Sequence, residues 1–301
     1  MAYYIGLMSG TSMDGVDAVL CRVTDTRFET VEAVSVPFPD SLLATLQRLC
    51  SSSENELNLM GSADREVAEV FALAVKNLLT QAGVTTAEVR AIGSHGQTIR
   101  HMPGGYAPET HAFTLQIGDP NTLAHLTGID VIADFRRKDI ALGGQGAPLA
   151  PAFHHAVFSS SAAHRVAVNL GGIANISILA AKSPSSLVRG FDTGPANTLM
   201  DAWYSAHNKG TFDRGGRWAA SGTVNHDMLE NMLQDKYFSL PAPKSTGREY
   251  FNLQWLRTFL HGDEKPEDVQ ATLLALSARS LASDIVRNAS AGEIILCGGG
   301  A

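Results

Sequence analysis

A chain of 301 residues with 45% hydrophobic and 18% charged residues is long and apolar enough to bury the cores of two domains. Its net charge is −7 and its basic residues cluster only at residues 136–138, which argues against a nucleic-acid partner. It has no apolar run of about 18 residues and no secretory signal pattern at its start. Its three cysteines fit neither a zinc site nor a disulfide framework. We therefore expect a cytoplasmic protein with no membrane partner.

The first part of the chain predicts an antiparallel meander and then a long helix. Three apolar stretches have the character of strands, and a polar turn at residues 9–15 joins the first two: residues 3–8, 16–23 and 30–36. Apolar residues then recur at helical spacing over residues 59–79, and Gly83 stands where a C-terminal cap is expected. Two further strands follow at 89–92 and 113–117. Asp119 and Pro120 look like the N-cap and first residue of another helix.

Near residue 129 the pattern begins again, which predicts a second domain. An apolar strand at 166–170 breaks at Gly171 and Gly172 and resumes at 175–179, as the first strand does at its own glycine turn. The remaining predicted elements are strands at 131–133, 187–191 and 293–297 and helices at 197–205 and 266–289. The pattern indicates an α/β protein in which one topology is used twice, with domains at 1–128 and 129–301.

Three glycine-rich turns directly follow predicted strands: residues 10–15, 171–172 and 298–300. Without a β-carbon, glycine lets backbone N–H groups approach an anion such as a triphosphate. Any one such turn is more often an ordinary polar hairpin turn or a glycine bulge. Three of them in similar positions favour a phosphate site, although no Walker A loop or dinucleotide fingerprint is present. Asp14 or Asp17 would suit a Mg²⁺ ion held through water.

Candidate catalytic side chains lie at the ends of predicted strands. Asp192 precedes a predicted helix, where it is equally a general base or the N-cap of that helix. Arg136 and Arg137 suit a planar anion, and the alternative is a solvated basic turn. His95, in the polar segment 93–98 that follows a strand, is expected to be a hydrogen-bonded structural histidine rather than a catalytic one.

Seven segments in chain order carry a resemblance to a known family: residues 5–17 (IGLMSGTSMDGVD), 93–98 (GSHGQT), 134–137 (DFRR), 143–148 (GGQGAP), 190–195 (GFDTGP), 244–249 (KSTGRE) and 296–301 (LCGGGA). They resemble the anhydro-N-acetylmuramic acid kinases over essentially the whole chain. The resemblance implies two related domains of the actin/Hsp70/hexokinase (ribonuclease H-like) architecture flanking an ATP and sugar cleft. It also implies a hydrolytic reaction that converts 1,6-anhydro-N-acetylmuramic acid, ATP and water to N-acetylmuramic acid 6-phosphate in peptidoglycan recycling.

The resemblance also assigns residues and partners. It makes Asp192 the general base. It makes Thr98 and Arg137 the residues that bind the sugar and its lactyl carboxylate. It implies ATP and Mg²⁺ as cofactors, with Asp14 near the metal, and a homodimer. The family continues beyond the last glycine turn, so further residues are expected after Ala301. The implied ATP-binding residues are Gly10, Thr11, Ser12, Met13, Asp14, Gly15, Val16, Asp17, Asn169, Gly171, Gly172, Gly194, Gly298, Gly299 and Gly300.

Two alternatives stay open at this point. The chain is compatible with a different sugar kinase of the same architecture. It is also compatible with a non-catalytic ATP-binding sensor, in which Asp192 only caps a helix.

Overall fold

The computed structural model describes all residues except 1, 11–12, 14, 25–27, 53, 182–187, 209, 249 and 290–291. The chain divides into two compact units, Met1–Gly146 and Ala147–Ala301. The sequence places the division after residue 128, whereas the structure places it after residue 146. The difference arises because β6 (Val131–Ile132) pairs with a strand of the first sheet and so belongs to the first unit.

The first sheet contains the predicted meander. β1 (Ala2–Ser9) pairs antiparallel with β2 (Gly15–Val23), and β2 pairs antiparallel with β3 (Phe28–Pro37). On the other side of β1, β4 (Val89–Met102) runs parallel to it, and β5 (Phe113–Ile117) pairs antiparallel with β4. The polar segment 93–98 therefore lies inside β4, not after a strand as the sequence predicts.

Helices of the first unit cover this sheet and form its core. α2 (Glu56–Ala82) packs against β2 and β3, and its apolar stripe includes Phe71, which is fully buried. Gly83 ends α2 in the left-handed conformation, as expected. The Asp119 carboxylate accepts two backbone N–H bonds at the start of its helix, which confirms the predicted N-cap. The remaining helices are α1 (Asp40–Leu49), α3 (Pro120–Thr127) and α4 (Arg137–Ala141).

The second sheet repeats this topology with four strands. β7 (Arg165–Leu170), β8 (Ile173–Leu179) and β9 (Arg189–Pro195) form an antiparallel meander. β10 (Glu293–Cys297) lies beside β7 and runs parallel to it. The strand orders are β3-β2-β1-β4-β5 in the first sheet and β10-β7-β8-β9 in the second. In each, the first strand of a meander is flanked by its hairpin partner and by a later parallel strand, so the prediction of one α/β topology used twice is confirmed.

β9 extends further than the sequence predicts. The predicted strand ends at residue 191, whereas β9 continues through Asp192 to Pro195. Residue 187, at the other end of the prediction, lies outside the described residues. The helices of the second unit are α5 (Ala150–Phe158), α6 (Asn197–His207), α7 (His226–Leu233), α8 (Lys236–Ser239), α9 (Leu253–Arg257) and α10 (Pro266–Asn288). α10 packs on β8 and β9. Among the described residues, no helix is long and apolar enough to cross a membrane.

We expect Phe71→Ala to lower the free energy of unfolding of the first unit by about 3–5 kcal/mol, because it leaves a cavity under α2. Leu73, two residues further along the helix, is 48% exposed. Leu73→Ala is the matched control and should cost less than about 1 kcal/mol. Urea denaturation measures both variants, and equal losses would contradict the burial of Phe71.

Candidate active site

A row of polar residues crosses the second sheet. By register, Asn169 on β7 pairs with Asn175 on β8, and Asn175 pairs with Asp192 on β9. Register partners in antiparallel strands point to the same face, at about 4.8 Å per strand spacing. The Asn175 side-chain oxygen is buried and has no hydrogen-bond partner among the described residues. The row therefore joins the candidate base to the end of β7, with an unsatisfied polar atom between them.

Asp192 is 7% exposed, and hydrogen bonds hold both its backbone and its carboxylate. Its N–H donates to the Lys244 carbonyl at 3.0 Å, and its carbonyl accepts the Tyr237 hydroxyl at 2.7 Å. The Thr246 N–H donates to Asp192 Oδ2 at 3.1 Å. The Thr246 hydroxyl is buried without a described partner. A carboxylate fixed in this way, with an unsatisfied hydroxyl near it, is suited to binding and deprotonating a small polar group.

The alternative role for Asp192, a helix N-cap, does not fit the structure. α6 begins at Asn197, and its N-cap position is Ala196, which makes no side-chain capping bond. The N–H groups of Asn197 and Thr198 donate instead to the carbonyls of Gly171 and Gly172, both at 3.0 Å. Asp192 lies inside β9 and is not needed to cap the helix.

A buried ion pair anchors the segment that contacts Asp192. Lys244 Nζ lies 3.0 Å from Asp284 Oδ2, and the two side chains are only 3% and 6% exposed. Nζ also lies 4.8 Å from the centroid of the Tyr237 ring. Burial raises the pKa of Asp284, and Lys244 opposes that shift. Burial, followed by the charges of Asp192 and Asp284, raises the pKa of the Tyr237 hydroxyl, which keeps it a neutral donor.

The structure brings two of the glycine turns together in the second unit. The Gly300 N–H donates to the Leu170 carbonyl at 2.9 Å. Gly298 has a φ of +92°, and a β-carbon there would lie 2.7 Å from the Asn169 side-chain oxygen. Asn169, Gly171, Gly172, Gly298 and Gly300 therefore form one cluster. The space where a Gly299 side chain would stand is open.

Gly194 is placed differently from the other candidate glycines. Its φ is +143°, and a β-carbon there would lie 2.9 Å from a ring carbon of Phe238 and 3.2 Å from Ser280 Oγ. The glycine therefore permits close packing of β9 against α8 and α10.

The glycine turn of the first unit is anchored by Gln97, which is fully buried on β4. Gln97 Nε2 donates to the Gly10 carbonyl at 3.3 Å, and its Oε1 lies 2.6 Å from the Ser9 hydroxyl. The Ser9 hydroxyl is also 2.7 Å from the Gly15 carbonyl. A β-carbon at Gly15 would overlap the Val36 carbonyl, so only glycine fits there. Gln97 and Ser9 thus hold the two ends of the turn, Gly10 and Gly15.

The other residues of this turn have separate environments. Met13 has a φ of +59°, and its N–H donates to the Gly10 carbonyl at 3.1 Å. The Val16 side chain is fully buried in the core. Asp17 is exposed and accepts the Ser35 hydroxyl at 2.5 Å. Thr11, Ser12 and Asp14 lie outside the described residues.

The candidate sugar-binding residues are on β4 and α4. Thr98 Oγ1 accepts a hydrogen bond from Gln116 Nε2 at 3.1 Å. Arg137 pairs with Asp134 through Nε at 2.8 Å, and its side chain is 64% exposed. Its two terminal amino groups make no hydrogen bond to a described residue and are therefore accessible to an anion.

Arg136 and His95 form a structural contact. Arg136 Nε donates to His95 Nε2 at 2.9 Å, and Arg136 Nη1 donates to the Gly146 carbonyl at 2.5 Å. His95 Nδ1 lies 2.8 Å from the Gly96 carbonyl and must carry the ring proton, because Nε2 is an acceptor. Burial, and then the charge of Arg136, lower the pKa of His95 to about 4. His95 is therefore a neutral, doubly hydrogen-bonded ring.

Four residues of the site were not proposed from the sequence as site residues: Asn175, Lys244, Thr246 and Gln97. Asn175, Lys244 and Thr246 lie in or beside motifs that the sequence does single out. Their roles depend on backbone N–H groups and on cross-strand register. Neither can be read from the type of residue at a position. Gln97 is the one with a visible signal, since it stands in the polar segment next to Thr98.

The low pKa of His95 predicts a pH dependence of stability. Its folded pKa of about 4 is below its ordinary value of 6.5, so the unfolded chain is protonated first as the pH falls. The contribution is therefore present above pH 6.5 and is lost towards pH 4. Between about pH 7 and about pH 5, the wild-type protein should lose about 2 kcal/mol more unfolding free energy than His95→Gln. Denaturant titrations test this, with His125→Gln as the exposed control; identical pH profiles for wild type and His95→Gln would refute it.

The ion pair predicts a contrast between single and double substitutions. Lys244→Met alone should cost about 3–5 kcal/mol of unfolding free energy, because it leaves the Asp284 carboxylate buried and unpaired. Adding Asp284→Leu should recover most of that loss. Arg279 and Glu230 form an exposed pair, 53% and 56% accessible, so Arg279→Met is the matched control. It should cost less than about 1 kcal/mol. A double variant no more stable than Lys244→Met would count against this account.

Comparison with known proteins places the chain in a family. The family model described as anhydro-N-acetylmuramic acid kinase matches residues 2–301. A protein named anhydro-N-acetylmuramic acid kinase from Shewanella baltica (strain OS223) is 56% identical over 304 aligned residues, which cover 100% of this chain and 80% of that protein. One of the same name from Shewanella loihica (strain ATCC BAA-1088 / PV-4) is 54% identical over 99% of this chain and 80% of that protein. Among solved structures, the ROK hexokinase from Thermus thermophilus aligns with 99% of this chain and 82% of that chain at 18% identity and a TM-score of 0.36. The chain belongs to the anhydro-N-acetylmuramic acid kinase family.

Proposed function

We propose that this protein is an ATP-dependent hydrolytic kinase that converts 1,6-anhydro-N-acetylmuramic acid to N-acetylmuramic acid 6-phosphate in peptidoglycan recycling. Family membership makes the chain a sugar kinase. The structural observation that carries the proposal is the buried Asp192 carboxylate, fixed by the Thr246 N–H and flanked by the unsatisfied Asn175 and Thr246 side-chain oxygens. A non-catalytic sensor is not favoured, because Asp192 is not a helix cap. A different sugar kinase of the same architecture is not favoured, because the relatives share this family name.

In the proposed reaction, Asp192 accepts a proton from a water molecule, and the water oxygen bonds to the anomeric carbon of the sugar. The bond between that carbon and O6 breaks, and O6 keeps the electron pair. O6 then bonds to the γ-phosphorus of ATP, whose bond to the β-phosphate oxygen breaks to release ADP. The proton on Asp192 passes to solvent. The protein takes little covalent part in this reaction. Its contribution to the rate is therefore mainly positioning and charge stabilisation.

We assign the nucleotide phosphates to the glycine clusters of the chain. In the second unit these are Asn169, Gly171, Gly172 and Gly298 to Gly300, and in the first unit residues 10–17. Support comes from the anchoring of both turns, since rigid N–H groups bind an anion without further ordering. Mg²⁺ would offset phosphate charge when it is bound. Asp17 is exposed beside the turn and uses one oxygen for Ser35, which fits a carboxylate that contacts a hydrated ion.

We assign the sugar to Thr98 and Arg137 of the first unit. Arg137 has accessible amino groups and a fixed Nε, which suits the lactyl carboxylate. Asp134, its ion-pair partner, orients the guanidinium. A cytoplasmic location and a homodimer are further parts of the proposal, and they rest on the family resemblance.

Asp192→Asn tests the proposed base. We expect kcat for the anhydro-sugar to fall about 10²–10⁴-fold, because the amide cannot accept the proton, while binding of ATP and sugar survives. Asp227→Asn, at an exposed carboxylate in the first turn of α7, is the matched control and should leave kcat unchanged. The assay is mass-spectrometric detection of the sugar 6-phosphate, with ordinary N-acetylmuramic acid as the comparison substrate. Wild-type turnover by Asp192→Asn would remove Asp192 from the mechanism, and the absence of product from the wild-type protein would refute the proposed function.

A further inference from the structure

The segment 244–248 connects the candidate base to the glycine cluster of the second unit. It begins at Lys244, whose carbonyl accepts the Asp192 N–H, and continues to Thr246, whose N–H contacts the carboxylate. Two residues later, Arg248 lies against Gly172. A β-carbon added to Gly172 would lie 3.6 Å from both Nε and Nη2 of Arg248. One guanidinium thus lies next to the turn to which we assign the phosphates, on a segment tied to the proposed base.

Hydrogen bonds hold described residues that precede and follow Arg248. Before it, Thr246 is held on Asp192. After it, the Phe251 N–H donates to the Gly247 carbonyl at 3.0 Å, and the Phe251 side chain is fully buried. Asn252 Nδ2 also donates to the Arg248 carbonyl at 3.4 Å. The Arg248 carbonyl and the described residues near it in sequence are therefore held by hydrogen bonds.

The charge of Arg248 is not neutralised by a close carboxylate in the part of the chain that the structure describes. The ion pairs found there within 4.0 Å do not include it. Asp201 on α6 senses the charge: burial raises the pKa of Asp201, and Arg248 opposes that shift. The alternative role of Arg248 is that of a structural charge partner of Asp201, and the experiment below separates the two roles.

A glycine without a β-carbon, backbone N–H groups and a planar guanidinium are the elements that bind a phosphoryl group. The N–H groups of Gly171 and Gly172 donate to no carbonyl of the described residues. The Arg248 guanidinium therefore lies at the same turn as two N–H groups that are available to bind an anion. Asp192 lies two strands from Asn169 in the same sheet, so a phosphoryl group placed here is close to the proposed reaction centre.

We propose that Arg248 is a catalytic residue that contacts the γ-phosphoryl group at the Gly171–Gly172 turn and neutralises the charge on its oxygens as it moves to the sugar O6. This inference rests on the proposed function for the identity of the acceptor. It adds a residue that family membership does not itself assign. The gain is realised mainly in the transition state, because the equatorial oxygens carry the transferring charge there.

The first measurement is steady-state kinetics of Arg248→Ala and Arg248→Lys with ATP and the anhydro-sugar. We expect Arg248→Ala to lower kcat about 100-fold or more, with a change in the KM for ATP of less than about 5-fold. Arg248→Lys should fall between it and wild type, since lysine keeps the charge but loses the planar fork. Guanidinium ion at low, non-denaturing concentration should restore part of the Arg248→Ala rate.

Two controls address the alternatives. Arg257→Ala removes an exposed arginine at the end of α9 and should leave kcat unchanged. Asp201→Asn removes the neighbouring carboxylate; an effect equal to that of Arg248→Ala would show that the pair is structural and would overturn the proposal. A kcat for Arg248→Ala within about 3-fold of wild type would also overturn it.

The second measurement does not need the sugar. Equilibrium binding of ADP is compared with binding of ADP plus aluminium fluoride and Mg²⁺, which imitates a phosphoryl group in transfer. Arg248→Ala should weaken the aluminium fluoride complex at least about 10-fold while changing ADP binding less than about 3-fold. Equal weakening of both, or of neither, contradicts the proposal. Because this readout is independent of the acceptor, it decides the role of Arg248 even if the wild-type protein fails to phosphorylate the anhydro-sugar.

Discussion

A carboxylate inside a β-sheet is tolerated only when hydrogen-bond donors surround it, because desolvation of an unpaired charge costs several kcal/mol, on the order of the stability of a whole domain. The Asp192 carboxylate carries this desolvation cost, because the residue is only 7% exposed in the interior of β9. Residues 244–246 lie beside β9, where the Lys244 carbonyl accepts the Asp192 N–H and the Thr246 N–H donates to Asp192 Oδ2. Tyr237 from α8 binds its carbonyl. The Lys244–Asp284 pair then ties that segment to α10. Tyr237 of α8, residues 244–246 and, through Lys244, α10 are therefore linked to one buried acid.

The two units hold their glycine turns through different hydrogen bonds. In the first, a side-chain amide on a parallel strand, Gln97, reaches across to Gly10. In the second, the start of α6 donates its backbone N–H groups to Gly171 and Gly172, and Gly300 donates to the end of β7. The shared topology explains why both turns stand beside a parallel strand.

The sequence predicted those parts of the fold that depend on local pattern. The two meanders, α2 with its Gly83 cap, the Asp119 N-cap and the strand at 293–297 follow from periodicity and from the residues that begin and end elements. The boundary after residue 128 was wrong because β6 is too short for its sheet to be recognised from sequence. Segment 93–98 lies within β4, where Gln97 bonds to Ser9 of β1 and Thr98 bonds to Gln116 of β5; these cross-strand contacts cannot be read from the local sequence. Glycine turns and Asp192 could be proposed as site features from residue type. The Arg136–His95 contact and the Lys244–Asp284 pair span about 40 residues of chain each, and nothing local indicates either.

In the proposed reaction, water attacks the sugar carbon and the phosphoryl group goes to the released O6. Turnover in ¹⁸O-labelled water, stopped by borohydride reduction so that the oxygen at the anomeric carbon is retained as an alcohol, tests it most directly. We expect one ¹⁸O atom on that carbon and none in the phosphoryl group when the product is fragmented in a mass spectrometer. An ¹⁸O atom in the phosphoryl group, or an unlabelled anomeric carbon, would contradict it.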